Sequence, residues 1–230
     1  MATYALLPAA GRGTRVASPA PKQYRSINGR PMLWHAVRAV CVPPVASVFV
    51  VLAPGDAEFA RHDWSAFAGH LQPLYCGGDS RRDSVYNGLV ALGGSLEADD
   101  WMLVHDAARP CLPARDLASL LEEGSRDEIG AILALPVAET VKTAAKDEAG
   151  VQRIAQTQDR SQLWLAQTPQ MFRVGLLVQA LARCAEATDE ASAIESMGLR
   201  PRLVAGSREN LKVTYAEDFV IAEAILARRA

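Results

Sequence analysis

The sequence predicts an α/β fold with a largely parallel sheet covered on both faces, and three observations lead there. Apolar runs short enough for buried strands alternate with segments of helical period. A glycine-rich loop follows the first of these runs directly, where such folds bring backbone N–H groups close to phosphate oxygens. A second cluster of polar residues, His105 to Arg109, ends another run, and carboxyl ends of parallel strands are where open α/β sheets bind ligands.

Taken in order, the strands are expected at Tyr4–Leu7, Ser47–Leu52, Leu71–Cys76, Trp101–Val104 and Gly130–Leu135. Helices are expected to start near Pro31, Asp56, Ser80 and Pro113, and Pro31 and Pro113 suit a first helical turn, where a missing N–H costs nothing. Thr188-Asp189-Glu190 opens a further helix running to about Met197 and stopped by Gly198. Thr214 and Glu217 form a capping-box pattern at the head of a last helix reaching about Arg229. One segment departs from the pattern. Residues Val137 to Arg160 are polar, and Lys146 to Gly150 has turn composition, so the stretch reads as two extended strands joined by a turn. Such a ribbon carries too few apolar residues to be stable alone and should lie on something else. No repeat, low-complexity tract or linker divides the chain, so residues 1–230 read as a single domain with a β-arm at about 137–160.

Composition narrows the function. Of 230 residues half are apolar and 22% charged, and the net charge of −2 gives no reason to expect nucleic acid or a membrane as partner. The charge is unevenly spread: no Asp or Glu precedes Asp56, while Arg12, Arg15, Lys22, Arg25, Arg30 and Arg38 do. That segment is either a seat for a polyanion or a solvated basic face. The four cysteines are far apart and read as small buried hydrophobes in a reducing compartment. With neither a leader nor an apolar run long enough to span a membrane, the cytoplasm is expected.

The loop Leu7-Pro-Ala-Ala-Gly11-Arg-Gly13-Thr-Arg15, followed by Pro21-Lys22, is the strongest local signal. It is no dinucleotide fingerprint, because Val16 replaces the third glycine, and no Walker A loop, because Lys22 follows Pro21 and precedes Gln23. A phosphate cradle with two added cations remains, suited to stabilising charge that builds on an α-phosphate during nucleotidyl transfer. The alternative is a surface turn that Arg15 and Lys22 merely solvate. After Trp101–Val104, Asp106 can hold a divalent cation, hold a ribose hydroxyl or form an ion pair, and Arg109 can pair with it or reach a phosphate. His105 reads as a packed strand-end residue. Gly77 to Ser84 is another glycine turn, whose backbone could read a base edge with Ser84 adding a hydroxyl.

Together P-A-A-G-x-G-x-R…P-K at Pro8–Lys22, G-G-x-x-R-x-x-S-V at Gly77–Val85 and H-D-A-A-R-P at His105–Pro110 begin an ordered series. It continues with D-R…L-W-x-A-Q-T-P-Q at Asp159–Gln170, T-D-E-A-S-A-x-E at Thr188–Glu195 and N-x-K-V-T at Asn210–Thr214. The series resembles the 2-C-methyl-D-erythritol 4-phosphate cytidylyltransferase family over nearly the whole chain. The resemblance implies a Rossmann-like nucleotidyltransferase fold, a three-layer sandwich with a mostly parallel sheet and a protruding β-arm for dimerisation. It also implies a homodimer and a Mg²⁺-dependent reaction of CTP with methylerythritol phosphate; the polar ribbon, which cannot bury itself on its own subunit, adds the expectation that the active sites are shared between the two chains. Arg15 and Lys22 would stabilise the pentacoordinate phosphorus, and Arg160 and Lys212 would position the acceptor phosphate. Ala9, Ala10, Gly11, Gly78, Asp79 and Ser84 match nucleotide contacts. Asp106 and Ala107 match positions near ribose, metal and acceptor; Arg109, Thr140 and Thr168 match acceptor-side positions. Glu139 departs from the pattern, standing where an Asp commonly precedes the arm threonine. Two other readings stay open: a ribitol 5-phosphate cytidylyltransferase, and a nucleotide-binding protein without catalysis.

Overall fold

In the computed structural model, which describes residues 1–11 and 21–229, the chain opens with strand β1, Thr3–Pro8. A short hairpin, β2 at Ser26–Ile27 and β3 at Arg30–Pro31, leads into helix α1, Met32–Val40. Then come β4 (Val45–Val51), β5 (Leu71–Leu74), α2 (Arg81–Ala91), β6 (Trp101–Val104), α3 (Ala114–Ser125) and β7 (Gly130–Pro136). The second half holds β8 (Val141–Lys146), β9 (Gln152–Gln158), β10 (Trp164–Arg173), α4 (Val174–Arg183), α5 (Glu190–Glu195), β11 (Arg202–Ala205) and α6 (Ala216–Ala227).

Seven strands form one sheet in the order β11-β7-β10-β6-β1-β4-β5. All neighbours pair in parallel except β10, which runs antiparallel to β6 and β7. Alternation along each strand sorts side chains to two faces. Ala5, Leu7, Trp101 and Leu103 pack with Leu33, Val37, Leu117 and Leu120 of α1 and α3. Leu6, Met102 and Val104 pack with Val85, Leu89, Leu177, Leu181 and Ile194 of α2, α4 and α5. Both faces are therefore dry, and the result is the three-layer sandwich expected. A smaller core of Ile27, Met32, Cys111, Val213, Phe219 and Ala222 docks α6 beside the hairpin.

The path from β1 leads to β4 and β5 on one side of it, then returns to β6 on the other. Connections diverging from neighbouring strands leave a crevice at their carboxyl ends. The described ends of the loop after β1, at Ala9, Gly11 and Lys22, line one cavity with Asp106 and Ala107 after β6, so topology brings the described parts of the two strongest sequence signals together.

Several expectations need correction. No α-helix follows Asp56; two 3₁₀ turns, Phe59–Arg61 and Ser65–Phe67, take its place. The Asp56 carboxylate accepts from Glu58 N and Phe59 N, and Asp63 accepts from the Ser65 N–H and hydroxyl. These local bonds compete with a helical ladder, and Phe59 stacks on Trp64 at 4.4 Å between ring centroids. At α6 the reciprocal cap is one residue later than expected: Asp218, not Glu217, accepts from Thr214 N (2.6 Å) and Tyr215 N (2.8 Å). Helix α5 ends at Glu195, two residues short of the expected Met197, with Gly198 beyond it at φ +79°. The four cysteines are free thiols, but only Cys111 is buried; the others are intermediate. Strands β10 and β11 and helix α4 were not anticipated.

The polar segment does form a ribbon. Strands β8 and β9 pair antiparallel as a separate two-stranded sheet, turning at Asp147–Gly150, where Gly150 takes φ +78°. Nearly all of its residues are exposed, including Val151 and Ile154. Among the described residues no helix is long and apolar enough to cross a membrane.

Candidate active site

The first wall of the crevice is built by close backbone approach. Gly77 N donates to Leu52 O (2.8 Å), and a Cβ on Gly77 would sit 2.2 Å from the Ala10 Cβ, so only glycine fits. Ser84 lies one turn inside α2; its hydroxyl accepts from Gly78 N (3.2 Å) and donates to Ser80 O (2.9 Å). The hydroxyl thus shapes the turn. Gln23 ties down the other loop by donating from Nε2 to Ala9 O (2.7 Å). Between the two turns lies a cavity of about 630 Å³ lined by Ala10, Gly11, Gly78, Asp79, Arg81 and Ser84, among others.

The second wall is centred on Asp106, which is buried. Its Oδ1 accepts from Arg81 Nε (2.7 Å), and its Oδ2 from Lys212 Nζ (2.7 Å). Arg109 Nε lies 3.8 Å from Oδ2, while its guanidinium donates to Asn210 O (2.6 Å) and Ala166 O (3.4 Å). Pairing of β10 with β7 steps from Ala166–Ala134 to Gln170–Ile132, so β10 carries two extra residues there. That bulge supplies Gln167 and Thr168. Asn210, fully buried, donates to Gln167 Oε1 (3.3 Å) and Thr168 O (2.8 Å), and Val213 N donates to Ala108 O (2.8 Å). Lys212 is held between these anchors, which is how a residue far along the chain reaches Asp106.

A neutral hydrogen-bond chain supports the carboxylate from behind. Asp106 N–H donates to Thr168 Oγ1 (3.0 Å), Thr168 O–H donates to His105 Nδ1 (3.1 Å), and His105 Nε2–H donates to Arg109 O (3.0 Å). Burial pushes His105 down to about 4, which keeps the ring neutral in this arrangement at neutral pH. Its two nitrogens are fully used inside the fold, as expected of a packed strand-end residue. Burial opposes charge on Asp106 too, but Arg81 and Lys212 outweigh it and hold the carboxyl well below the usual carboxylate range.

A cavity of about 160 Å³ opens beside Asp106, lined by Arg109, Thr168, Asp189 and Lys212 among others. A third, of about 230 Å³, joins Ala9, Gly11, Lys22, Asp106, Ala107 and Lys212. Arg81 lines all three cavities, and Asp106 and Lys212 line the last two. Lys22 donates from Nζ to Val213 O at 2.6 Å, beside Lys212. Arg15 lies outside the described residues. Thr140 and Arg160 line none of these cavities; both are exposed at the base of the ribbon.

The basic N-terminal segment is not one patch. Arg25 lies over the Phe219 ring (4.1 Å), while Arg30 and Arg38 flank Trp34. Of its described cations, Lys22 alone lines these cavities. Among the described residues no group of three or more His, Cys, Asp or Glu side chains could hold a metal. Two site residues were missed in the sequence. Arg81 Nη1 and Nη2 donate to Glu190 Oε1 and Oε2 (2.7 and 3.0 Å), and Glu190 is fully buried. Each stood inside a motif, but nothing in the sequence joined residues 109 positions apart.

The family model for 2-C-methyl-D-erythritol 4-phosphate cytidylyltransferase matches residues 3–228. A protein of that name from Azoarcus sp. (strain BH72) is 51% identical over 227 residues, covering 98% of this chain and 94% of its own. One from Ralstonia nicotianae is 52% identical over 238 residues, covering 99% and 92%. A solved structure described as 4-diphosphocytidyl-2C-methyl-D-erythritol synthase superposes with a TM-score of 0.83 at 41% identity, covering 98% of each chain. The Francisella tularensis 2-C-methyl-D-erythritol 4-phosphate cytidylyltransferase gives 0.80 at 34% identity, covering 98% of this chain and all of that one. With its sequence, its sheet topology and nearly all of its length shared with these proteins, the chain belongs to the 2-C-methyl-D-erythritol 4-phosphate cytidylyltransferase family.

Proposed function

We infer that the chain transfers the cytidylyl group of CTP to 2-C-methyl-D-erythritol 4-phosphate, giving 4-diphosphocytidyl-2-C-methyl-D-erythritol and pyrophosphate. The observation that carries this reading is the shared wall: Arg81, Asp106 and Lys212 stand where the cavity of Ala9, Gly11 and Lys22 meets the Thr168–Arg109 cavity, and Arg81 lines the glycine-turn cavity as well. Two polyanions bound on either side would meet at that wall. An acceptor phosphate oxygen forms the new bond to the α-phosphorus of CTP, and the bond from that phosphorus to the pyrophosphate oxygen breaks in line. The nucleophile is already ionised, so no general base is required. Ala9, Ala10, Gly11, Gly78, Asp79 and Ser84 seat the nucleotide, and Asp106 and Ala107 lie near its ribose. Lys22 and Arg15 stabilise charge developing at the α-phosphate. Lys212, with Thr168 and Arg109, faces the acceptor.

A Mg²⁺ ion fits this donor set only as a partner of the triphosphate, because Asp106 is the one carboxylate at the wall and both its oxygens already accept from cations. Bound there, the ion would neutralise triphosphate charge. The ribbon motivates the last part of the proposal. Its exposed apolar residues and lack of cover suit a homodimer in which Thr140 and Arg160 complete the neighbour's site.

The test is pyrophosphate release with a panel of nucleotides and polyol phosphates, with and without Mg²⁺. Mg²⁺-dependent release with CTP and methylerythritol phosphate, and far less with ATP, GTP or UTP, is expected. Preference for ribitol 5-phosphate would reassign the acceptor, and CTP binding without turnover on any acceptor would mark a silent binder.

A further inference from the structure

Glu190 is the one carboxylate in this network that reaches none of the three cavities. Its side chain is 1% exposed and yet charged, a costly placement unless the charge is paired. It accepts one hydrogen from each terminal nitrogen of Arg81, and this end-on pair turns the guanidinium so that Nε faces Asp106 Oδ1. Asp106 consequently divides its oxygens, Oδ1 to Arg81 and Oδ2 to Lys212. A guanidinium released from Glu190 could instead take both Asp106 oxygens side-on, the geometry arginine favours with carboxylates. Lys212 would then have to share Oδ2 with Arg81 instead of holding it alone.

Glu190 is itself rigidly seated. It is the first residue of α5, whose N-cap Asp189 accepts from Ser192 N (2.9 Å). Gln170 on β10 clamps the same turn, donating to Asp189 Oδ2 (2.9 Å) and accepting from Ala191 N (2.8 Å). The sheet thus fixes Glu190, Glu190 fixes Arg81, and Arg81 fixes how Asp106 is shared.

We propose that Glu190 is a positioning residue that, through Arg81, holds Lys212 in place at the wall between the two substrate cavities. The proposal rests on the cytidylyl-transfer reading for its kinetic consequence, but not for its structural one.

Two measurements test it. In Glu190→Gln, kcat with CTP and methylerythritol phosphate should fall about 10²-fold, the cost of misplacing a reacting partner by about 1 Å, while KM for CTP changes little. Because Glu190 acts only through Arg81, the Arg81→Gln/Glu190→Gln double variant should be no slower than Arg81→Gln alone. A lowered melting temperature with kcat within twofold of wild type would overturn the proposal, and so would additive losses in the double variant. If Glu190→Gln does not fold, Glu190→Asp keeps the charge and withdraws it by one methylene. A folded Glu190→Asp protein with unchanged kcat would equally overturn it. The second measurement needs no turnover: acetic anhydride labelling of Lys212, read by mass spectrometry on folded protein. Faster labelling in whichever Glu190 variant folds is expected, and a rate equal to wild type would sink the proposal even if the wild-type enzyme used another acceptor.

Discussion

The parallel half of the sheet and the β8–β9 ribbon are strands of one chain made from opposite materials. Every residue of Trp101–Val104 is buried, with helices packed on both faces. In the ribbon nearly every residue is exposed, and Ile154 shows 69% of its surface. The first region obtains its stability from burying apolar area within its own subunit. The second has only backbone pairing and a turn, too little to stand alone in water. The contrast shows that one part of this chain is finished by its own fold, whereas the other is left uncovered by it. In the proposed dimer the neighbour's crevice would supply that cover.

Subunit mixing would break the comparison most sharply. Lys22→Ala should lower kcat about 10²–10³-fold, the usual cost of losing one preorganised partner of developing charge, and affect CTP binding much less. Arg15→Ala should behave alike, with Arg15→Lys a poor rescue because an ammonium lacks the guanidinium fork. Refolded with Arg160→Ala in equal amounts, Lys22→Ala should recover about a quarter of wild-type activity, since half the dimers pair one intact loop with one intact arm. Activity held at parental levels, with exchange of subunits verified, would mean that Arg160 serves its own subunit.

Stability should divide along the same line. Leu103→Ala, at a fully buried position of β6, should cost about 2–5 kcal/mol in urea denaturation. A loss below 1 kcal/mol would show that the parallel half is less tightly packed than its burial indicates.

A subtler test lies at the end of the same strand. His105 is pushed down to about 4 from 6.5, so it is neutral in the fold over a range where the unfolded chain binds a proton. Its contribution is complete above pH 6.5 and is lost as pH falls towards 4, by up to about 3 kcal/mol. Between pH 7 and pH 4.5, wild type should therefore lose more stability than His105→Gln. Parallel losses in the two proteins would refute the neutral-ring arrangement.

The smallest effect is expected in the ribbon. Ile154→Ser should leave the unfolding free energy of a single subunit within about 0.5 kcal/mol, as ordinary surface substitutions do. It should nonetheless weaken dimerisation in sedimentation runs at low protein concentration. A large loss of subunit stability would reveal intrasubunit cover for the ribbon that the fold does not provide.

What residue order determined was local. Apolar runs set β1, β4, β6 and β7, because a strand buried on both faces must be apolar at consecutive positions; β5, at the edge of the sheet, has the run Leu71-Gln-Pro-Leu74 and no buried residue. The glycine approach at Gly77–Gly78, the polar ribbon and the start of α5 at Asp189 likewise follow from short-range rules of conformation and capping. Where local bonds compete, as with Asp56 and Asp63, periodicity misled and the helix gave way to turns. Tertiary structure alone decided that β10 enters the sheet antiparallel and that its bulge delivers Thr168 to Asp106. It also decided that Glu190 meets Arg81 and that Lys212 meets Asp106. A buried charge needs a partner of opposite sign but sets no sequence distance to it. Only the closing of the sheet and the docking of α5 and α6 brought those partners together.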